Sequence, residues 1–332
     1  MSGKPSDPQL SSTPILQHSS PPIRILVLRG GAIGDFIVTL PALRKLRDRW
    51  PQAHIELIGY PHVAMLARAA GLVNHVESLD KAEIARFFSA SPKFTEAQCD
   101  YLRSFHFVVT YLHDPDGLVR ENLTSAGARQ VLYGSPLITA GHAVEALLKP
   151  LETFALYAEG VEQPRLALAA EQLAWGRDWL AARGLGGKKM LALHPGSGSP
   201  RKNWPVENFI ALARRLPRGV APLLVLGEAD AELIAPLARE LPKVPRLAGC
   251  SLLEVASVLA HGAAYLGNDS GITHLAAALG RPVVALFGPS NPEHWAPRGP
   301  RVTLLQAPDG KTAELKLADV AAAVFQALEI SG

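Results

Sequence analysis

Only two cysteines occur in the 332 residues, Cys99 and Cys250, and neither stands in a CxxC pair or a Cys/His ligand pattern. That excludes a disulfide framework and a structural zinc, and a reducing, cytoplasmic setting is the expectation. No run of about 18 apolar residues exists, so no membrane-spanning helix is expected. A large excess of one charge is missing too. Thirty-three Lys and Arg against 30 Asp and Glu leave a net charge of +3, too little for nucleic acid without a concentrated basic stripe. An anionic small molecule or surface suffices as partner, peripheral contact with a membrane included. Residues 1–22 are rich in Ser and Pro but lack the apolar core of a secretion signal, and read as a disordered leader.

What is present is a 48% hydrophobic chain long enough for two cores. From residue 23 onward, apolar runs of strand length alternate with helical patterns, the signature of parallel βαβ units. Strands are expected at Ile23–Leu28, His54–Ile58, Phe105–Tyr111 and Arg129–Leu132, with weaker ones between. One helix is expected over Phe36–Arg49, others over Val63–Ala70 and Ala82–Phe88. The alternation lapses into a helical connection, then restarts at Met190–His194 after Gly184-Leu185-Gly186-Gly187. It runs through strands Leu223–Leu226, Ala263–Leu266 and Val283–Phe287 to an amphipathic helix over Leu317–Leu328. The division is therefore a first Rossmann-like domain over 23–160, a connection over 161–186 and a second such domain over 187–332. Two open sheets of this kind place ligand loops at the carboxyl ends of their strands, facing a shared cleft.

The first such loop reads GGAIGDFIVTLPAL, residues 30–43. A dinucleotide fingerprint needs glycine at position 29, where Arg29 stands, and an acidic residue ending the second strand, where Gly59-Tyr60 stands. Asp35 has two other readings. It caps the helix that follows, or it takes a proton from a substrate hydroxyl.

Near the other end stands GNDSGITHLAAALGRPVVALFGPSNPEHW, residues 267–295. Its polar turn delivers Ser270, Gly271 and Thr273 to a helix amino terminus, where free N–H groups and the helix dipole favour phosphate. Asp269 is a cap or a ligand contact. His274 is a structural histidine or a phosphate ligand. The loop HPGSGSPRKNWP, residues 194–205, adds Gly196, Ser197 and Gly198 for close approach and Arg201 and Lys202 for positive charge. Its plain reading is a surface turn before the helix that Pro205 opens.

With these motifs in this order, the chain resembles glycosyltransferase family 9, the ADP-heptose:lipopolysaccharide heptosyltransferases, from about Ile23 onward. The resemblance rests on RILVLRGGAIGDFIVTLPALRKLRDRWP, HPGSGSPRKNWP and NDSGITHLAAALGRPVVALFGPSNP. It implies an α/β glycosyltransferase-B fold, two Rossmann-like doubly wound domains facing across a cleft. The implied reaction is inverting transfer of heptose from ADP-heptose to an anionic glycolipid acceptor. The family's base falls on Asp35, its diphosphate-binding lysine on Lys202, and its phosphate loop on Asp269, Ser270, Gly271, Thr273 and His274. Ser197 joins the same diphosphate site, and Glu228 or Glu232 holds the ribose. Gly31, Gly34, His113 and Asp114 fall on the acceptor side. No metal or further cofactor is implied, since a lysine and a helix end can stabilise the leaving diphosphate. Asp114-Pro115-Asp116 mimics an acid-x-acid metal motif, but it lies in the wrong domain and also reads as a Pro-containing turn. The cluster Arg44, Lys45, Arg47 and Arg49 meets anionic sugars or a lipid surface, or is a solvated helix face.

Three rival functions fit the same motifs: a relative using another nucleotide sugar or a non-lipid acceptor, a sugar-nucleotide-binding module without turnover, and an epimerase on the same general fold.

Overall fold

The computed structural model describes residues 22–329, so the expected leader lies outside the described residues apart from Pro22. The first run of elements is β1 (Arg24–Arg29), α1 (Ile33–Ile37), α2 (Leu40–Arg49), β2 (His54–Gly59), α3 (Pro61–Ala69) and β3 (His75–Ser78). It continues through α4 (Ala82–Ala85), α5 (Glu96–Arg103), β4 (Phe107–Thr110), α6 (Leu118–Ser125) and β5 (Val131–Tyr133). Helices α7 (Ala143–Leu148) and α8 (Ala170–Ala181) follow. The second run opens with β6 (Lys189–His194), α9 (Val206–Arg214), β7 (Val220–Val225), α10 (Ala231–Glu240), β8 (Arg246–Leu247) and α11 (Leu252–Leu259). It closes with β9 (Ala264–Asn268), α12 (Gly271–Ala278), β10 (Val283–Phe287), α13 (Pro292–Trp295), β11 (Val302–Gln306) and α14 (Leu317–Glu329).

Continuous apolar runs such as Ile25–Leu28 and Leu191–Leu193 are buried on both faces, as parallel strands covered by helices must be. The first sheet has the order β3-β2-β1-β4-β5 and the second β11-β10-β9-β6-β7-β8. Every strand pair is parallel, with Val27 opposite Leu57 in one sheet and His194 opposite Gly267 in the other. In each sheet the chain reverses its direction of travel at one point, between β1 and β4 and between β6 and β9. Open α/β sheets bind ligands at that crevice, outside the carboxyl ends of the two strands. The loops after β1, β6 and β9 are the ones singled out by the sequence motifs.

The structure departs from expectation in three respects, the first two with causes in the packing. The single helix expected over Phe36–Arg49 is two, broken at Val38-Thr39. There the buried Arg29 guanidinium takes up Thr39 Oγ1 at 2.9 Å and Asp35 O at 2.7 Å. Pro41 in the first turn of α2 then lacks an N–H that a continuous helix would need. Helix α8, within the segment read as a connection, packs on α11. Gly176 lies so close to the Ser257 backbone that a methyl group there would collide with it. The Leu166 N–H also donates to Ala278 O at 2.9 Å. Finally, β8, β11, α5 and α6 are elements that the sequence pattern did not single out.

The two halves meet at α1 and α12. Gly34 and Gly271 face each other there, and a carbon added at Gly271 would clash with Ile33 and stand 2.9 Å from Gly34 N.

Candidate functional site

A cleft of about 500 Å³ lies between the two crevices, lined from one side by Ala32, Gly34 and Asp35 and from the other by Lys202, Asp269, Ser270, Gly271 and His274.

On the first side, β1 ends at Arg29 and the chain turns through Gly31, whose φ of +95° favours glycine. A Cβ there would stand 3.0 Å from Asp35 Oδ2. Asp35 is the third residue of α1, and its Oδ2 accepts the Ala32 N–H at 2.9 Å. The carboxylate therefore does cap the helix, reaching back from the first turn. Its Oδ1 remains, 3.8 Å from Arg29 Nη2, and about a third of the side chain is exposed to the cleft. Arg29 itself is buried, and burial lowers its proton affinity while Asp35 opposes that shift.

On the second side, the loop after β6 is tied down at both ends by one residue that sequence reasoning missed. Asn268, wholly buried at the end of β9, accepts the Trp204 N–H at 2.9 Å and donates to Pro195 O at 2.7 Å. Its only signal in the sequence was membership of a polar turn. This clip fixes Lys202 next to the following residue of the same turn: Lys202 Nζ lies 2.6 Å from Asp269 Oδ2, and Ser290 Oγ donates to that oxygen at 2.5 Å. Ser270 caps α12 by accepting the Thr273 N–H at 3.4 Å. The first N–H groups of such a helix have no intrahelical acceptor, which suits an anion.

His274 lines the same cleft yet is almost wholly buried, and its Nδ1 has no partner among the described residues. Burial pushes its pKa down to about 4, against the pull of Asp269, so the ring is neutral near pH 7. Ser290, Asn291, His294 and Trp295 also line the wall. The sequence motif contained them, but no rule of residue chemistry set them apart.

Other expected residues stand elsewhere. Thr273 is fully buried behind the turn, with Oγ1 donating to Asn268 O at 2.5 Å, so its side chain braces the loop and does not face the cleft. Ser197 likewise braces its own loop, with Oγ 2.8 Å from Ser199 O and 2.7 Å from Asn203 Oδ1. Glu228 and Glu232 are exposed beyond β7 and line no part of this cleft. Between them Asp230 is buried, its Oδ2 accepting the Gly227 N–H at 2.6 Å and lying 3.8 Å from His194 Nδ1. His113 is exposed outside the cleft wall. Asp114 is not open to an acceptor: it is buried, accepts the N–H groups of Val119 and Arg120 at 2.9 and 3.2 Å, and pairs with Arg120 Nε at 3.0 Å. It caps α6, which is the turn reading of Asp114-Pro115-Asp116. Among the described residues no group of three or more His, Cys, Asp or Glu side chains is placed to hold a metal.

The basic helix cluster is partly spent inside the protein. Arg47 donates to Leu72 O and Ala53 O, Lys45 lies 2.9 Å from Glu162, and Arg49 stacks 5.4 Å from the Trp50 ring centroid.

The model of glycosyltransferase family 9 (heptosyltransferase) matches residues 136–324, more than half of the chain. The chain belongs to glycosyltransferase family 9. It is 30% identical to lipooligosaccharide heptosyltransferase 2 of Haemophilus influenzae over 152 residues, 43% of this chain and 44% of that protein. It is 28% identical to lipopolysaccharide heptosyltransferase 1 of Pseudomonas aeruginosa over 298 residues, 81% of this chain and 80% of that one. The alignment with the first relative thus spans under half its length, that with the second four-fifths. Among solved structures, Escherichia coli ADP-heptose lps heptosyltransferase II superposes with a TM-score of 0.73 at 20% identity, over 93% of this chain and 99% of that one. That likeness bears out the two-domain glycosyltransferase-B architecture of this family 9 chain. Among its described residues no helix is long and apolar enough to cross a membrane.

Proposed function

We propose that this protein is an inverting heptosyltransferase, moving heptose from ADP-heptose to a hydroxyl of a lipopolysaccharide inner-core sugar at the cytoplasmic face of the membrane. One observation carries the reading: a partly exposed carboxylate, Asp35, and an ammonium, Lys202, enter one cleft from the switch points of two facing sheets. The names of the family and of its relatives supply the donor and the acceptor class.

In this reading Asp35 accepts the acceptor hydroxyl proton through the oxygen not held by Ala32, while that hydroxyl oxygen attacks the anomeric carbon. The bond from that carbon to the diphosphate breaks on the opposite face and ADP leaves with its electron pair, inverting the configuration. Lys202, steered by Asp269, and the amino end of α12 meet the charge that grows on the diphosphate. No cofactor beyond the donor enters the scheme. His274, neutral at this pH, offers a hydrogen bond to the diphosphate or sugar and adds no charge. Gly34, with only hydrogen on its Cα, leaves the sugar room beside Asp35.

The test is mass analysis of products from purified protein, ADP-heptose and a panel of lipid A–Kdo acceptors. A product heavier than acceptor by one heptose supports the proposal. Transfer only from a different nucleotide sugar overturns the donor, release of isomerised donor without acceptor points to epimerisation, and donor binding with no turnover on any acceptor points to a binding module.

A further inference from the structure

A second cavity, of about 370 Å³, opens at the amino-terminal edge of the second sheet, and its wall includes Lys188, Lys189, His261, Gly262, Arg281 and Arg301. These residues stand where β6, β9, β10 and β11 begin, whereas the cleft loops stand where β6 and β9 end. Strands of five or six residues separate the two by about 15–20 Å. The cavity is therefore distinct from the donor cleft.

Its charge is one-sided. Lys188, Lys189, Arg281 and Arg301 all border it, and among the described residues no carboxylate is within ion-pair reach of any of them. The two guanidinium groups are half-buried and anchored by carbonyls: Arg301 Nη2 donates to Gly280 O at 2.8 Å, and Arg281 reaches Leu279 O and Gly262 O at 3.4 and 3.5 Å. Burial and the neighbouring Arg301 both lower the proton affinity of Arg281, the mark of cations held together without a counter-charge. A folded protein gains nothing from such repulsion unless an anion relieves it. Each guanidinium keeps donors beyond those spent on carbonyls, and the fixed fork matches phosphate oxygens, while the two lysines add mobile point charge at the rim.

We propose that this cavity is a second anion site, which takes a phosphate monoester or diphosphate group, carried by a soluble metabolite or by a lipid headgroup. Arg281 and Arg301 form its floor and Lys188 and Lys189 its mouth. An occupant neutralises the edge of the second sheet without touching the residues that line the cleft.

The experiment titrates pyrophosphate into the full chain by calorimetry at low ionic strength, in wild type, Lys202→Met, Arg301→Gln and the double variant Lys188→Gln/Lys189→Gln. Wild type and Lys202→Met are expected to share a binding component that the other two weaken roughly tenfold or more. That component should fade as salt is raised toward about 1 M, where screening reaches contact distance. Lys188 and Lys189 are exposed, so their variant reports on the site even where Arg301→Gln folds poorly. Sedimentation with phosphatidylcholine vesicles, with and without phosphatidate, separates the sources. Retention on phosphatidate that the lysine variant loses assigns a lipid headgroup, and pyrophosphate binding without retention assigns a soluble phosphate. Isotherms of both cavity variants that superimpose on wild type overturn the site.

Discussion

Lys202 Nζ stands 2.6 Å from Asp269 Oδ2, a pairing between residues 67 apart in the chain. Both sit on loops that the single side chain of Asn268 holds together. The ammonium is a third exposed and so is aimed into the cleft with its charge only partly answered. In the proposed reaction, a diphosphate at the amino end of α12 meets that charge already in place, which is the condition for electrostatic stabilisation without reorganisation. Lys202→Met is expected to lower the transfer rate by about a hundredfold to a thousandfold. Asp269→Asn leaves the charge but loosens its aim, so a smaller loss is expected, falling mainly on the KM for the donor. Steady-state kinetics against donor concentration check both, and a Lys202→Met protein with the wild-type kcat/KM would remove Lys202 from the mechanism.

Substitution can separate the observed cap at Asp35 from its proposed role as base. Asn keeps an oxygen for the Ala32 N–H, whereas Ala does not. Asp35→Asn is therefore expected to lose transfer by about a hundredfold to ten-thousandfold at nearly unchanged stability. Asp35→Ala should lose the same activity and, in addition, about 0.5–2 kcal/mol of stability as the cap disappears. Urea unfolding beside product assays reads the two effects. Equal stability of both variants would mean that the cap contributes nothing, and transfer by Asp35→Asn at the wild-type rate would dismiss the base.

The pH dependence of stability follows from His274. Its folded pKa, about 4, lies below the ordinary value of 6.5, so between these values the unfolded chain binds the proton that the folded one refuses. The contribution is fully present above pH 6.5 and is lost as pH falls toward 4. Between pH 7 and pH 5 it amounts to about 2 kcal/mol. His142 and His194, also lowered by burial, act with the same sign. His274→Asn should therefore flatten the fall in unfolding free energy over this range relative to wild type. An unchanged slope would mean that the ring is solvated in solution.

Much of this site was legible because it is local. Each glycine-rich or polar loop directly follows an apolar strand, so Asp35, Lys202, Asp269, Ser270 and Gly271 could be placed in one cleft once both domains were read as doubly wound. What escaped depends on distant partners. The break at Val38-Thr39 is set by a guanidinium from β1, and no feature of the helical pattern announces it. Asn268 and Thr273 look alike as small polar residues of one turn, yet both brace the loops, and only burial separates them from Ser270. Asp114 looked available because its partners, Val119 and Arg120, lie a turn beyond the motif that drew attention to it. Strand β11 escaped because its burial is partial and follows no strict alternation.

The contact between Gly34 and Gly271 yields the last prediction, on how the two domains share one site. Helix α1 brings Asp35 and helix α12 brings the loop of Asp269 and Ser270, and their amino ends approach so closely that Gly271 has no room for a side chain. The two glycines are not equivalent. A carbon added at Gly34 meets His274 Cδ2 at 3.4 Å and Gly271 Cα at 3.7 Å, ordinary contact distances. One added at Gly271 collides with Ile33 and stands 2.9 Å from Gly34 N, where backbone must move. Gly271→Ala is therefore expected to cost about 1–3 kcal/mol, the range for overpacking, and to push α1 away from α12. Because that displacement moves Asp35 relative to Lys202, kcat should fall by more than the loss of folded protein explains. Gly34→Ala should stay close to wild type in stability, with its effect confined to donor or acceptor KM through the narrowed cleft. Unfolding curves with kinetics on both variants decide the point. A Gly271→Ala protein of wild-type stability and kcat would show that the two helices do not meet this closely in solution, and the shared site would need another hinge.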